Sequence, residues 1–81
     1  MSEPELSRRL RAARGYRGLS QKTMAARLGI SASTYKRIES GRIVPDGYQL
    51  DGLKRAVAEI AGLPLTFFSA DFDRHDDADV A

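Results

Sequence analysis

Apolar side chains recur at spacings of three and four over most of the first 68 positions, the period of a helix that buries one face. A first helix is predicted from residue 4 or 5 to Arg14, with an apolar face formed by Leu6, Leu10 and Ala13. Gly15 and Gly18 follow, and because glycine is a poor helix residue, the pattern predicts a break after Arg14. Strand-like alternation of apolar and polar residues does not occur in the sequence.

The second half of the chain carries two more helical patterns. A loop is predicted from Arg42 to about Gly47, where Pro-Asp-Gly is typical of a turn. A fourth helix then ends near Gly62, and its apolar positions are Leu50, Leu53, Val57 and Ile60. Pro64 opens a short fifth helix that carries Leu65, Phe67 and Phe68. The sequence therefore predicts an all-α domain of five helices.

Two short helices lie between these regions, and each has its own start and stop signal. Ser20 and Ser31 are N-cap candidates, because a serine hydroxyl accepts hydrogen bonds from the free amides of a first helical turn. Gly29 and Gly41 follow the two helices and are typical left-handed helix stops. The inward-facing large residues are Met24 and Leu28 in the first helix and Tyr35 and Ile38 in the second.

Ala25 indicates how closely these two helices approach. It lies beside the apolar face, where a methyl group is about all that fits between helices that cross at a tight corner. Tyr35 is expected to serve the core while its hydroxyl reaches the surface. The second helix leaves an outer face composed of Ala32, Ser33, Lys36 and Arg37.

This arrangement resembles the Cro/CI-type (lambda-repressor-like, XRE) helix-turn-helix regulators from Leu6 to Phe68. The matching segments are Leu19-Ser20-Gln21, Ala25 to Ser31, Ser33-Thr34, Arg37-Ile38-Glu39 with Gly41, and Val44-Pro45. Two capped short helices joined by a three-residue turn are far more specific than an isolated Ala-x-x-x-Gly. The resemblance implies a compact DNA-binding domain whose second motif helix enters the major groove.

The resemblance assigns base contacts to the outer face of that second helix. Arg37 could present two parallel donors to guanine, although it could instead bind a phosphate or a carboxylate. Lys36 could reach a base or a phosphate, and Ser33 could bond either. Ala32 could touch a thymine methyl and no more, whereas many relatives have a longer polar residue at its position.

The resemblance also assigns phosphate contacts around the base-reading helix. Gln21, at the start of the first motif helix, inherits a phosphate contact by position; otherwise it is a solvated helix residue. The further candidates are Lys22, Thr34, Ser40 and Arg42, of which Thr34 is equally a capping residue. Glu39 is expected to form a structural ion pair with Arg14 of the first helix, as in relatives.

Charge divides the chain into two regions, residues 1–68 and residues 69–81. The first holds twelve Lys/Arg and six Asp/Glu for a net charge of +6, whereas the second holds five Asp and Arg74 for −4. A basic domain favours a polyanionic partner, or it is simply a solvated surface. The acidic tail could be a frayed solubilising end, could repel DNA non-specifically, could cover the basic face in the free protein, or could bind another protein.

Several classes of protein are disfavoured by what the sequence lacks. There is no cysteine, no apolar run near 18 residues and no secretory leader, so we expect a cytoplasmic protein without a membrane span. His75 in the tail is the single histidine, and no nucleophile–base pair is visible, so we expect neither an enzyme nor a metal or cofactor.

The resemblance implies a sequence-specific transcriptional regulator that binds double-stranded DNA, most simply a phage or prophage repressor that acts by occupying its operator. A homodimer through the last helix (Leu65, Phe67, Phe68) would read a roughly palindromic operator. The alternative is an antitoxin or other protein-interaction module that binds a partner protein as well as DNA.

Overall fold

The computed structural model describes residues 3–68, which form four α-helices and one 3₁₀ helix. The α-helices are α1 (Glu3–Arg17), α2 (Gln21–Leu28), α3 (Ala32–Glu39) and α4 (Gly47–Ala61). The 3₁₀ helix is Leu65–Phe68, where a fifth α-helix was predicted. The described residues contain no strand, so the all-α prediction is confirmed with a helix count of four rather than five.

The first helix is longer than predicted, because Gly15 continues it. Gly15 does not adopt a positive φ, whereas Gly18 has φ 73° and ends the helix. The amide of Leu19 bonds the Arg14 carbonyl at 3.0 Å and that of Gly18 bonds Gly15 at 3.0 Å, which closes the last turn. The expected break after Arg14 is therefore wrong by one turn.

The capping signals of α2 and α3 act as predicted. The Ser20 hydroxyl accepts from the Thr23 amide at 3.0 Å, and the Ser31 hydroxyl accepts from the Thr34 amide at 3.1 Å. Gly29 takes the left-handed conformation with φ 77°. Its turn places α3 directly after α2, and these two helices share the most extensive helix–helix contact within residues 3–68.

Each α-helix contributes one large, fully buried side chain to a single core. These four residues are Leu10, Met24, Tyr35 and Val57. Ala25 of α2 is buried in the core, as a close crossing between helices requires. The core fixes α2 and α3 against α1 and α4, so the outer face of α3 has a defined direction.

The 3₁₀ helix at residues 65–68 is attached to α1 by a buried arginine. The Arg9 guanidinium donates from Nη1 to the Phe67 carbonyl at 2.8 Å. Phe68 is 2 % exposed and belongs to the core, and its ring meets that of Phe67 edge to face at 5.3 Å. None of the helices in residues 3–68 is long and apolar enough to cross a membrane.

Candidate nucleic-acid interface

One open groove of about 410 Å³ collects most of the residues predicted to meet DNA. It lies between the start of α2 and the end of α3, and it is lined by Gln21, Lys36, Arg37, Ser40 and Arg42. Four of these side chains are exposed, and Gln21 is half-buried. Three of the five are cations, so the groove is suited to an anionic ligand.

The outer face of α3 is less open at its start than predicted. Ser33, Lys36 and Arg37 are exposed, but Ala32 is half-buried and packs against the core. The Thr34 hydroxyl accepts a hydrogen bond from the Ser31 hydroxyl at 2.9 Å, which engages it in the helix cap. The residues that project freely are thus Ser33, Lys36 and Arg37.

The end of α3 and the start of α2 add further polar groups around the groove. The Ser40 hydroxyl donates to the Arg37 carbonyl at 3.1 Å and caps the last turn. Lys22 is exposed in the first turn of α2. Neither α2 nor α3 has an acidic residue in its first turn, so no side chain of those turns competes with a bound anion for the free amides.

Glu39 lies behind the groove and joins α1, α2 and α3. Its carboxylate accepts two hydrogen bonds from Arg14, Nε to Oε2 at 2.9 Å and Nη2 to Oε1 at 3.0 Å. The Gln21 amide donates from Nε2 to Oε1 at 3.2 Å. Arg14 also donates from Nη1 to the Leu19 carbonyl at 2.9 Å. Glu39 is 2 % exposed, so this is a buried carboxylate whose charge is compensated by the fork of Arg14.

These contacts decide the ionisation of the buried groups. Burial opposes ionisation of Glu39, but the interactions of the carboxyl with Arg14, with the nearby Tyr35 hydroxyl and with the Gln21 amide outweigh it and lower the pKa of the carboxyl. Burial, and then the nearby Glu39 carboxylate, raise the pKa of Tyr35 above its ordinary value. The hydrogen bond to Glu39 raises the pKa of Arg14. At neutral pH Glu39 is a carboxylate, Arg14 a cation and Tyr35 neutral.

A family profile described as a helix-turn-helix domain matches residues 5–61. The chain belongs to the XRE/Cro-like helix-turn-helix family. Comparison with curated proteins and with solved structures gave no significant match. In this helix-turn-helix domain α2 and α3 are the two motif helices, and family membership indicates a DNA-binding regulator.

Within residues 3–68, no three His, Cys, Asp or Glu side chains are grouped as metal ligands would be.

Two interpretations from the sequence change once the helix-turn-helix domain is folded. The Tyr35 hydroxyl does not reach the surface, because the whole side chain is 0 % exposed and the hydroxyl makes no hydrogen bond within the described residues. Phe68 is 2 % exposed and belongs to the monomer core, so it is the least accessible of the three residues predicted at a dimer interface. Leu65 is 47 % exposed and Phe67 is half-buried, so these two side chains keep apolar surface accessible.

Two side-chain contacts of the domain, made by Gln21 and by Arg9, were not predicted from the sequence. The bond from Gln21 to Glu39 was not predicted, because nothing local to residue 21 indicates a partner 18 positions away. No role was predicted for Arg9, yet it is buried and bonded to the 3₁₀ helix. Its position one residue before Leu10, at the edge of the apolar face, was the available signal.

Acid should destabilise the domain through Glu39. The folded pKa of Glu39 is below its ordinary value of 4.5, so its stabilising effect is complete above pH 4.5 and is lost as pH falls through the folded value. We expect the free energy of unfolding, measured with urea at several pH values, to decrease below about pH 4.5. In Glu39→Gln this decrease should be smaller. An equal decrease in both proteins would assign acid sensitivity to other carboxyls.

Proposed function

We propose that the chain is a sequence-specific transcriptional regulator, a repressor of phage or prophage type that acts in the cytoplasm by occupying operator DNA. The observation that carries this proposal is the groove in which three exposed cations from α3 and the following loop meet the start of α2. A bound repressor excludes polymerase or a competing protein from the same site, so no catalytic step is required of the chain.

Phosphate contacts in this proposal surround the base-reading helix. The start of α2 offers the first-turn amides, the Gln21 side chain and Lys22 to one phosphate region. Ser40 and Arg42 follow α3 and offer polar groups to a second region. Thr34 is a weaker candidate for a phosphate contact, because its hydroxyl is engaged in the helix cap. Such contacts set the register of the protein on the duplex.

Base contacts are assigned to the exposed side chains of α3. Arg37 can pair bidentately with guanine, and Lys36 and Ser33 can reach neighbouring base edges or phosphates. The half-buried Ala32 can offer its methyl group alone, to a thymine. With few long polar side chains at the start of α3, sequence-dependent DNA shape supplies part of the specificity.

The proposed regulator is a homodimer on a roughly palindromic operator. Two recognition helices about 34 Å apart would enter successive major grooves on one side of the duplex. Leu65 and the exposed edge of Phe67 remain as the candidate contact with a second copy, since Phe68 is buried. Sedimentation of the free chain and of its DNA complex measures the oligomeric state.

Salt should weaken DNA binding steeply if cations of this groove neutralise phosphates. Each phosphate neutralised contributes about 0.9 to the slope of log K against log salt. Lys22→Ala should therefore lower that slope by about 0.9 for each bound chain. Arg27→Ala is the matched control, because Arg27 is an exposed cation in the last turn of the same helix. A salt-independent affinity of the wild-type chain would contradict the proposal.

The acidic tail, residues 69–81, lies outside the described residues and is proposed as a modulator of DNA binding. Its net charge of −4 opposes the +6 of residues 1–68. We expect truncation after Phe68 to increase affinity for random-sequence DNA at low salt, as measured by fluorescence anisotropy. Unchanged affinity and salt slope would remove this role. Co-purification of a stoichiometric partner that the truncated chain loses would favour the antitoxin type of function instead.

A further inference from the structure

The start of α2 is connected to the end of α3 by a contact that the DNA-binding role does not by itself require. Gln21 is half-buried in the groove wall and gives one amide N–H to Oε1 of Glu39 at 3.2 Å. Glu39 is already paired twice with Arg14. Since Arg14 already compensates the charge of Glu39, the main effect of the third hydrogen bond is to fix the orientation of the Gln21 amide.

We propose that Glu39 is a positioning residue for the DNA phosphate contact, holding the Gln21 amide with one N–H inward and its other N–H toward the groove. This inference rests on the proposed function, since it assigns the orientation of a group that meets DNA there. Glu39 itself is 2 % exposed and touches no DNA in this proposal.

The orientation follows from the chemistry of the two groups. A glutamine amide has a donor end and an acceptor end, and the two can exchange by a half-turn of the side chain. An ionised carboxylate only accepts hydrogen bonds, so the nitrogen must face Glu39 and the carbonyl oxygen must face away. Because Gln21 Nε2 carries two hydrogens, one remains for a phosphate oxygen.

The same carboxylate also couples the phosphate contact to the base-reading side chains. Glu39 is the last residue of α3, and Lys36 and Arg37 lie in the turn just before it. Arg14 anchors the carboxylate to α1 through two bonds and holds the connection to α2 at the Leu19 carbonyl. The phosphate contact and the base-reading helix are thus joined through one buried carboxylate.

A double-mutant cycle on DNA affinity tests the proposal. The probe is the DNA duplex selected from a random pool by the wild-type chain, and the variants are Glu39→Gln, Gln21→Ala and the pair. Glu39→Gln should weaken binding by about tenfold in the wild-type background and by less than about twofold when Gln21 is already Ala. Sequence preference should be unchanged in all three variants, because phosphate contacts carry no base information.

The matched control cycle uses Lys22→Ala in place of Gln21→Ala. Lys22 is the neighbouring exposed residue of the first turn, so its effect should combine with that of Glu39→Gln independently. If Glu39→Gln cost the same affinity in the Gln21→Ala background as in the wild type, the positioning role would be wrong. If the wild-type chain selected no DNA, the proposed function and this role would fail together.

A second measurement keeps the proposal testable if Glu39→Gln does not fold. Gln21→Met preserves the length of the side chain and removes its donor. This variant should raise the pKa of Glu39, measured by carbon NMR titration of the carboxyl, because one of the hydrogen bonds that lower it is lost. An unchanged titration in Gln21→Met would show that the bond does not exist in solution and would overturn the proposal.

Discussion

Arg37→Ala should weaken binding to the selected DNA by about 1–3 kcal/mol and remove the preference at one base position. Arg37 is exposed in the last turn of α3 and lines the groove beside Lys36, so its guanidinium is placed to enter the major groove. Selection from a random DNA pool with the variant and the wild type measures both effects at once.

Gln21→Ala is the control for that result, because a phosphate contact should affect every sequence alike. It should lower affinity without changing the selected base preferences. A uniform loss of affinity for all sequences in Arg37→Ala would instead assign Arg37 to a phosphate, which was the competing interpretation of its sequence position.

The local parts of this fold could be predicted from the sequence because their chemistry is local. Ser20 and Ser31 accept amides three residues ahead in the same short helix, and Gly29 takes a conformation that other residues disfavour. These signals need no knowledge of the rest of the chain. Both motif helices therefore lie where their caps predicted.

Two errors of prediction concern the end of the first helix and the type of the last one. Gly15 costs helix stability, yet α1 continues through it, since the stop is supplied by Gly18 and the closing bonds to Arg14 and Gly15. The apolar cluster at residues 65–68 predicts an α-helix, but the segment forms a 3₁₀ helix, and Arg9 donates a hydrogen bond to its Phe67 carbonyl. The second outcome depends on a neighbour distant in sequence, since Arg9 and Phe67 are 58 positions apart.

The polar groups of the interface also divide into those that the local sequence predicts and those that it does not. That Lys36 and Arg37 project outward follows from the inward spacing of Tyr35 and Ile38 on the same helix. The pairing of Glu39 came from resemblance alone, since its partner is 25 positions away on another helix. Helical period places a side chain on a face, but only the packing of three helices brings donors to one carboxylate.

Arg14→Ala should be among the most destabilising substitutions of an interface residue. It removes the three hydrogen bonds that Arg14 makes to Glu39 and Leu19, and it leaves a carboxylate that is 2 % exposed and still bonded to the Gln21 amide. Breaking a buried ion pair on one side costs about 3–5 kcal/mol. Because the Arg14 side chain is partly exposed, we expect the free energy of unfolding, measured with urea, to decrease by about 3 kcal/mol.

The control is Arg11→Ala, an exposed arginine of the same helix, which should change the unfolding free energy by less than about 0.5 kcal/mol. Replacing both partners, in Arg14→Met with Glu39→Leu, removes the unpaired charge and should recover most of the stability. Its DNA affinity should nevertheless stay low, because Gln21 would have no carboxylate to orient it. A double variant that regained both stability and affinity would show that the buried pair serves the fold alone.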